Sequence, residues 1–179
     1  MTTMRATDLR ALIRDVPDFP KPGVGFRDIT PVLASPAGFN AAVGGLVDLA
    51  RPFRADHVLA AEARGFLFGP AVAAELGAGF VLARKPGKLP RATVSVEYSL
   101  EYGVDRLEVH TDAIGPGARV LVHDDLLATG GTARALCDLV ERAGGEVVAC
   151  AFLLELAFLD GRARLDGYPV HALLRDDAE

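Results

Sequence analysis

Residues 120–132, Val120-Leu-Val-His-Asp-Asp-Leu-Leu-Ala-Thr-Gly-Gly-Thr132, constrain the fold more than any other stretch of the chain. An apolar run suited to a buried strand delivers two adjacent acids. A short loop with two glycines and two threonines follows and opens directly into a helix. In open α/β sheets, ligands bind at the carboxyl edge of the strands. A helix start offers unpaired N–H groups and the positive end of a dipole, which suit a phosphate. Gly130 and Gly131 let backbone approach oxygen closely, and Thr129 and Thr132 add hydroxyl donors. The lysine of GxxxxGK[ST] is missing, which argues against a nucleoside-triphosphate loop, and GxGxxG is missing too. Paired acids can accept from two neighbouring hydroxyls or orient metal-bound water. A sugar with vicinal hydroxyls and a 5-phosphate matches both ends of such a site.

The rest of the chain supplies the sheet that this segment needs. Residues 57–61, 80–84, 119–123 and 146–154 are apolar runs that read as buried strands. Residues 39–50, 65–76 and 132–143 have helical spacing, and Gly144-Gly145 ends the last. Strand, helix, strand with such connections predicts parallel pairing. The expected fold is α/β, a mostly parallel twisted sheet flanked by helices. A short helix is expected over 7–15, and Pro20, Pro22, Gly23 and Gly25 force a loop after it. Residues 93–97 and 106–110 alternate like exposed strands and predict a two-stranded arm outside the sheet.

With 179 residues, one domain is expected. The net charge of −5 argues against a nucleic-acid partner. No stretch approaches the roughly 20 apolar residues of a membrane span. The N-terminus lacks the order of a signal peptide. Cys137 and Cys150 match no zinc spacing and read as buried free thiols. A cytoplasmic location is the expectation. Only three lysines occur, Lys21, Lys85 and Lys88, so the close pair stands out.

The segment 124–132 resembles the phosphoribosyl pyrophosphate (PRPP) motif of type I phosphoribosyltransferases, and its wording is closest to the adenine-specific branch. Other stretches agree: Phe19-Pro-Lys-Pro-Gly-Val-Gly-Phe-Arg-Asp-Ile29, Ala63-Arg-Gly-Phe-Leu-Phe-Gly69, Arg84-Lys-Pro-Gly-Lys-Leu-Pro90 and Tyr98-Ser-Leu-Glu-Tyr-Gly103. The resemblance implies transfer of ribose 5-phosphate from PRPP to adenine, giving AMP and pyrophosphate, with Mg²⁺, in a homodimer.

By the same resemblance, Ala128, Thr129, Gly130, Gly131 and Thr132 hold the 5-phosphate. Asp124 and Asp125 face the ribose hydroxyls, directly or through metal-bound water. Arg64, Arg84, Lys85, Lys88 and Tyr102 bind pyrophosphate, with Arg84 a candidate to reach a neighbouring subunit. Arg64 and Glu101 are the expected catalytic residues, Glu101 handling the purine proton. Val24, Gly25, Phe26, Arg27 and Leu127 form the adenine slot, within a purine-binding hood over about 1–30. Residues 88–111 are expected to close as a lid and exclude water. Similar enzymes often carry a cis peptide before the arginine, here Ala63–Arg64. Glu62 and Ala63 depart from the usual Asp and small polar residue, and His123 from an aliphatic one.

Two alternatives stand beside this. A phosphoribosyltransferase for a 6-oxo purine wants a donor after the PRPP motif, often lysine, and residues 133–142 contain no lysine. A non-catalytic PRPP-sensing regulator would want a nucleic-acid-binding part, for which this short acidic chain has no segment to spare.

Overall fold

A computed structural model describes residues 6–99 and 104–177. Its centre is a five-stranded, wholly parallel sheet built from β3 (His57–Ala61), β4 (Gly79–Ala83), β7 (Arg119–Leu127), β8 (Glu146–Leu156) and β9 (Val170–Asp176). The spatial order is β4-β3-β7-β8-β9. Two small antiparallel pairs stand apart from it: β1 (Arg14–Val16) with β2 (Phe26–Asp28), and β5 (Thr93–Ser99) with β6 (Val104–His110). The helices are α1 (Ala6–Arg10), α2 (Thr30–Ala34), α3 (Pro36–Ala50), α4 (Gly69–Leu76) and α5 (Gly131–Arg142).

Alternation along the strands divides the core into two layers. Val58, Leu121, Ala149 and Ala151 face α1–α4, where Leu46, Val47, Phe68 and Val72 are buried. Leu59, Val120, Val122, Cys150 and Phe152 face α5, with Leu136, Leu139 and Val140. Cys137 and Cys150 lie in this second layer as free thiols, their sulfurs 3.6 Å apart.

Several expected boundaries move. The first helix stops at Arg10, and the chain beyond it becomes β1, since pairing with β2 satisfies its backbone. The helix expected from residue 65 begins at Gly69, with Pro70 in its first turn; a 3₁₀ turn, Arg64–Phe66, precedes it. β7 runs to Leu127, so the two acids sit inside a paired strand and not in the loop after it. β9 was not foreseen.

The arm differs most in its surroundings. Val96, Leu107 and Val109 are buried in the second core layer, and Arg84 bridges Glu108. One face of the β5–β6 pair is therefore core. Its tip, with Glu101 and Tyr102, lies outside the described residues.

The sheet's last strand anchors the hood. Asp176 receives Arg27 Nε at 2.9 Å and Arg10 Nε at 2.9 Å. Burial alone would raise the Asp176 pKa, but the bonds from Arg10 and Arg27 outweigh it and hold the carboxyl below its usual range. A depressed folded-state pKa stabilises the fold above the unfolded pKa, and that stability is lost as pH falls through the folded value. Asp176→Asn should therefore lower stability by about 2 kcal/mol at neutral pH. The gap from wild type should close below the ordinary carboxylate range. Denaturant melts across pH check this; an equal gap at all pH values would assign the effect to packing.

Candidate active site

The carboxyl ends of β3 and β7 build the site. From β7 come Asp124, half-buried, and Asp125, which is 2% exposed. Asp124 Oδ1 accepts the Asp125 backbone N–H at 2.9 Å. From the turn after β3 comes Arg64, whose Nε lies 3.1 Å from Asp125 Oδ2. The same guanidinium stacks over the Phe26 ring at 5.4 Å, and Phe19 meets Phe26 edge-on. Arg64 thus joins the hood to the acid pair. Burial raises the pKa of both carboxyls; Asp124 is raised further by the charge of Asp125, while Arg64 opposes the rise at each.

Beside the acids, residues 126–133 line a small cavity of about 160 Å³ together with Arg64 and Asp124. Gly130 takes φ +81° and caps α5, and no side chain bonds the helix start. The first N–H groups of α5 are therefore offered to whatever enters. Gly65 crosses close to the acids: a Cβ there would lie 3.2 Å from Asp124 Oδ1.

A second cavity, about 340 Å³, opens between the acids and the arm. Ala61, Glu62, Ala63, Lys85, Tyr98, Asp105 and Thr132 line it with Arg64. Lys85 Nζ bonds Asp105, which also accepts from the Tyr98 hydroxyl at 3.1 Å. Glu62 braces the turn after β4, accepting from Arg84 Nη2 at 2.9 Å and from the Lys85 N–H at 2.5 Å. Arg84 is thereby held by its own chain. Lys88 is exposed.

A third cavity, about 450 Å³, lies between the hood loop (Lys21, Pro22, Gly23, Val24, Gly25, Arg27) and Leu156, Phe158 and Leu159 beyond β8. Val24, Gly25 and Arg27 stand where an adenine slot was expected. Leu127 does not: it is 1% exposed and packs in the second core layer. Leu126 is the half-buried neighbour that packs with the opposite layer. One step along a strand exchanges faces, so the two leucines pack in opposite layers, and both border the cavity of about 160 Å³.

One further expectation changes. The cis peptide joins Glu62 to Ala63, one residue earlier than expected, and Arg64 begins the 3₁₀ turn. His123 is fully buried, its Nδ1 2.9 Å from the Ala151 carbonyl. Burial lowers its pKa to about 4, so it places no charge beside Asp124 at neutral pH. Sequence reasoning missed Asp105 and the wall at 156–159. The wall was within reach, because β8 ends there on the same sheet edge as the acids.

An acid pair at a strand end, a helix start bare of side-chain caps and a polar cavity beyond it that holds Arg64 and Lys85 together define a site for a sugar carrying phosphates. The family model of the phosphoribosyl transferase domain matches residues 41–171. An adenine phosphoribosyltransferase of Rubrobacter xylanophilus is 60% identical over 93% of this chain and 90% of that protein. The crystal structure of adenine phosphoribosyltransferase from Thermoanaerobacter pseudethanolicus superposes with a TM-score of 0.93 at 51% identity, covering 96% and 99% of the two chains. The Trypanosoma brucei adenine phosphoribosyl transferase, in complex with AMP, pyrophosphate and ribose-5-phosphate, gives 0.86 at 26% identity over 94% of this chain and 78% of that one. The chain belongs to the adenine phosphoribosyltransferase family.

Proposed function

We propose that the protein transfers the 5-phosphoribosyl group of PRPP to adenine, giving AMP and pyrophosphate. The observation that carries this reading is the acid pair on β7 running into the Gly130–Gly131 helix start, with Arg64 across from it. The C1′–oxygen bond to pyrophosphate breaks, and adenine N9 bonds C1′ as it gives up its proton. Residues 128–132 bind the 5-phosphate through backbone N–H and threonine hydroxyls. Asp124 and Asp125 accept from the two ribose hydroxyls.

Departure of pyrophosphate concentrates negative charge, which Arg64 and Lys85 of the second cavity neutralise together with the exposed Lys88. Arg84 steers Glu62 and so the Lys85 backbone. Adenine enters the third cavity against Val24, Gly25 and Arg27, with Phe26, under the Arg64 guanidinium, and Leu126, beside the phosphate turn, as its apolar contacts. Glu101 and Tyr102 act on the base proton and on pyrophosphate, roles that rest on resemblance.

The donors suit Mg²⁺: two hard carboxylates beside a phosphate site match an ion that prefers one or two protein carboxylates plus substrate oxygens. Bound with PRPP, it would offset charge on the leaving group.

The test is a pyrophosphate-release assay with PRPP, Mg²⁺ and single purine bases. Adenine should be turned over, and guanine and hypoxanthine should not; turnover of guanine without adenine overturns the assignment. Glu101→Ala should lower kcat by about 10²- to 10⁴-fold, the usual worth of a positioned acid or base.

A further inference from the structure

We infer that the pair formed by buried Glu155 and half-exposed Arg162 is a positioning element that sets one loop, residues 157–165, against the phosphate turn and the base cavity together. This rests on the reading above, in which residues 128–132 take the 5-phosphate and the third cavity takes adenine. Glu155 lies near the end of β8 and is 3% exposed. Arg162 meets it with two parallel bonds, Nε to Oε1 at 2.6 Å and Nη2 to Oε2 at 2.7 Å. Arg162 Nη1 also donates to the Val170 carbonyl at 2.7 Å, which ties the loop to β9. The only other cation near the Glu155 carboxylate, among the described residues, is Arg175 at 3.7 Å.

Between these anchors the chain makes two 3₁₀ turns, Ala157–Leu159 and Gly161–Leu165, with Asp160 at φ +49° between them. One side of this loop touches the phosphate turn backbone to backbone. A Cβ on Gly161 would lie 2.2 Å from the Ala128 carbonyl oxygen, and a Cβ on Gly130 would lie 2.4 Å from the Gly161 oxygen. The other side lines the third cavity with Phe158 and Leu159, opposite the hood loop. The two halves of the site thus share one wall, and that wall is held by a bidentate pair. A fork of this kind fixes orientation as well as distance, which a lysine cannot do.

The consequence is a split in kinetics. Contacts to the 5-phosphate and the base are made in the ground state as well as in the transition state. Loosening both should raise KM more than it lowers kcat. Arg162→Ala in the full chain should raise KM for PRPP and for adenine by about ten- to hundredfold, the scale of a misplaced binding group, with kcat within a few-fold. Arg162→Lys, which keeps charge without the fork, should fall between, and it carries the test if the alanine variant does not fold. Arg175→Ala should leave both KM values near wild type. In Arg162→Lys without substrates, amide exchange should rise across residues 128–131. Unchanged KM values and exchange with a lowered Tm would overturn the proposal and leave a fold-supporting pair. Absence of AMP formation by the wild-type protein would instead sink the functional reading, and the exchange experiment would still judge the clamp.

Discussion

Asp124→Asn is expected to give a protein that melts no lower than wild type yet uses PRPP about 10²- to 10³-fold less efficiently. The two effects have one origin. Burial and the neighbouring Asp125 charge raise the Asp124 pKa, so the fold works against its ionised form. A folded-state pKa raised above the unfolded value means that charge costs stability as pH rises through the shifted range. Asparagine removes that cost while keeping the shape, and its oxygen can still accept the Asp125 N–H now received at 2.9 Å. Any gain in melting temperature should therefore appear at neutral pH and vanish in acid.

The activity loss follows from what the charge does for the substrate. A hydrogen bond to a charged group contributes about 1.5–3 kcal/mol. Losing the charge from one or two hydroxyl contacts gives about two to three powers of ten in kcat/KM. Paired measurements of Tm across pH and of PRPP kinetics decide the matter. A destabilised variant with unchanged PRPP kinetics would show that Asp124 is a structural acid.

How much of this could be read from the sequence depends on how local each feature is. β7 and α5 were legible because the strand, the glycines and the helix spacing are contiguous between Arg119 and Arg142. The parallel sheet followed from repeated strand–helix units. The base cavity was only half legible. Its hood loop announces itself through proline and glycine, but its far wall, Leu156, Phe158 and Leu159, is brought opposite by tertiary folding alone. The choice between Leu126 and Leu127 turned on which face of a strand each occupies, and a pair of adjacent leucines carries no alternation to decide it. The arm reads as two exposed strands from its alternation. The apolar residues Val96, Leu107 and Val109 instead pack into the core layer that holds α5. The link between Asp105 and Lys85 joins the arm to the turn after β4, a juxtaposition that no spacing encodes.

Gly130→Ala should be strongly damaging, and the reason is again the neighbour that sequence could not show. Two penalties add at this position. The residue holds φ +81°, a left-handed conformation that costs an ordinary L-residue roughly 1–2 kcal/mol. The new Cβ would also meet the Gly161 carbonyl oxygen at 2.4 Å and the Arg164 Cβ at 3.2 Å. Backbone on the far side cannot rotate away, so the turn or the 157–165 loop must shift, at about 1–3 kcal/mol for an overpacked site. The sum is about 3 kcal/mol of stability, and KM for PRPP should rise at least tenfold, because the displaced backbone is the part proposed to hold the 5-phosphate. Gly117→Ala isolates the first penalty: φ there is +72°, but nothing lies within 4 Å of the added methyl. That variant should lose only the conformational share and keep its PRPP kinetics. Equal losses in the two variants would mean that the approach of Gly130 to Gly161 contributes nothing beyond local strain, and that the phosphate turn does not depend on the loop behind it.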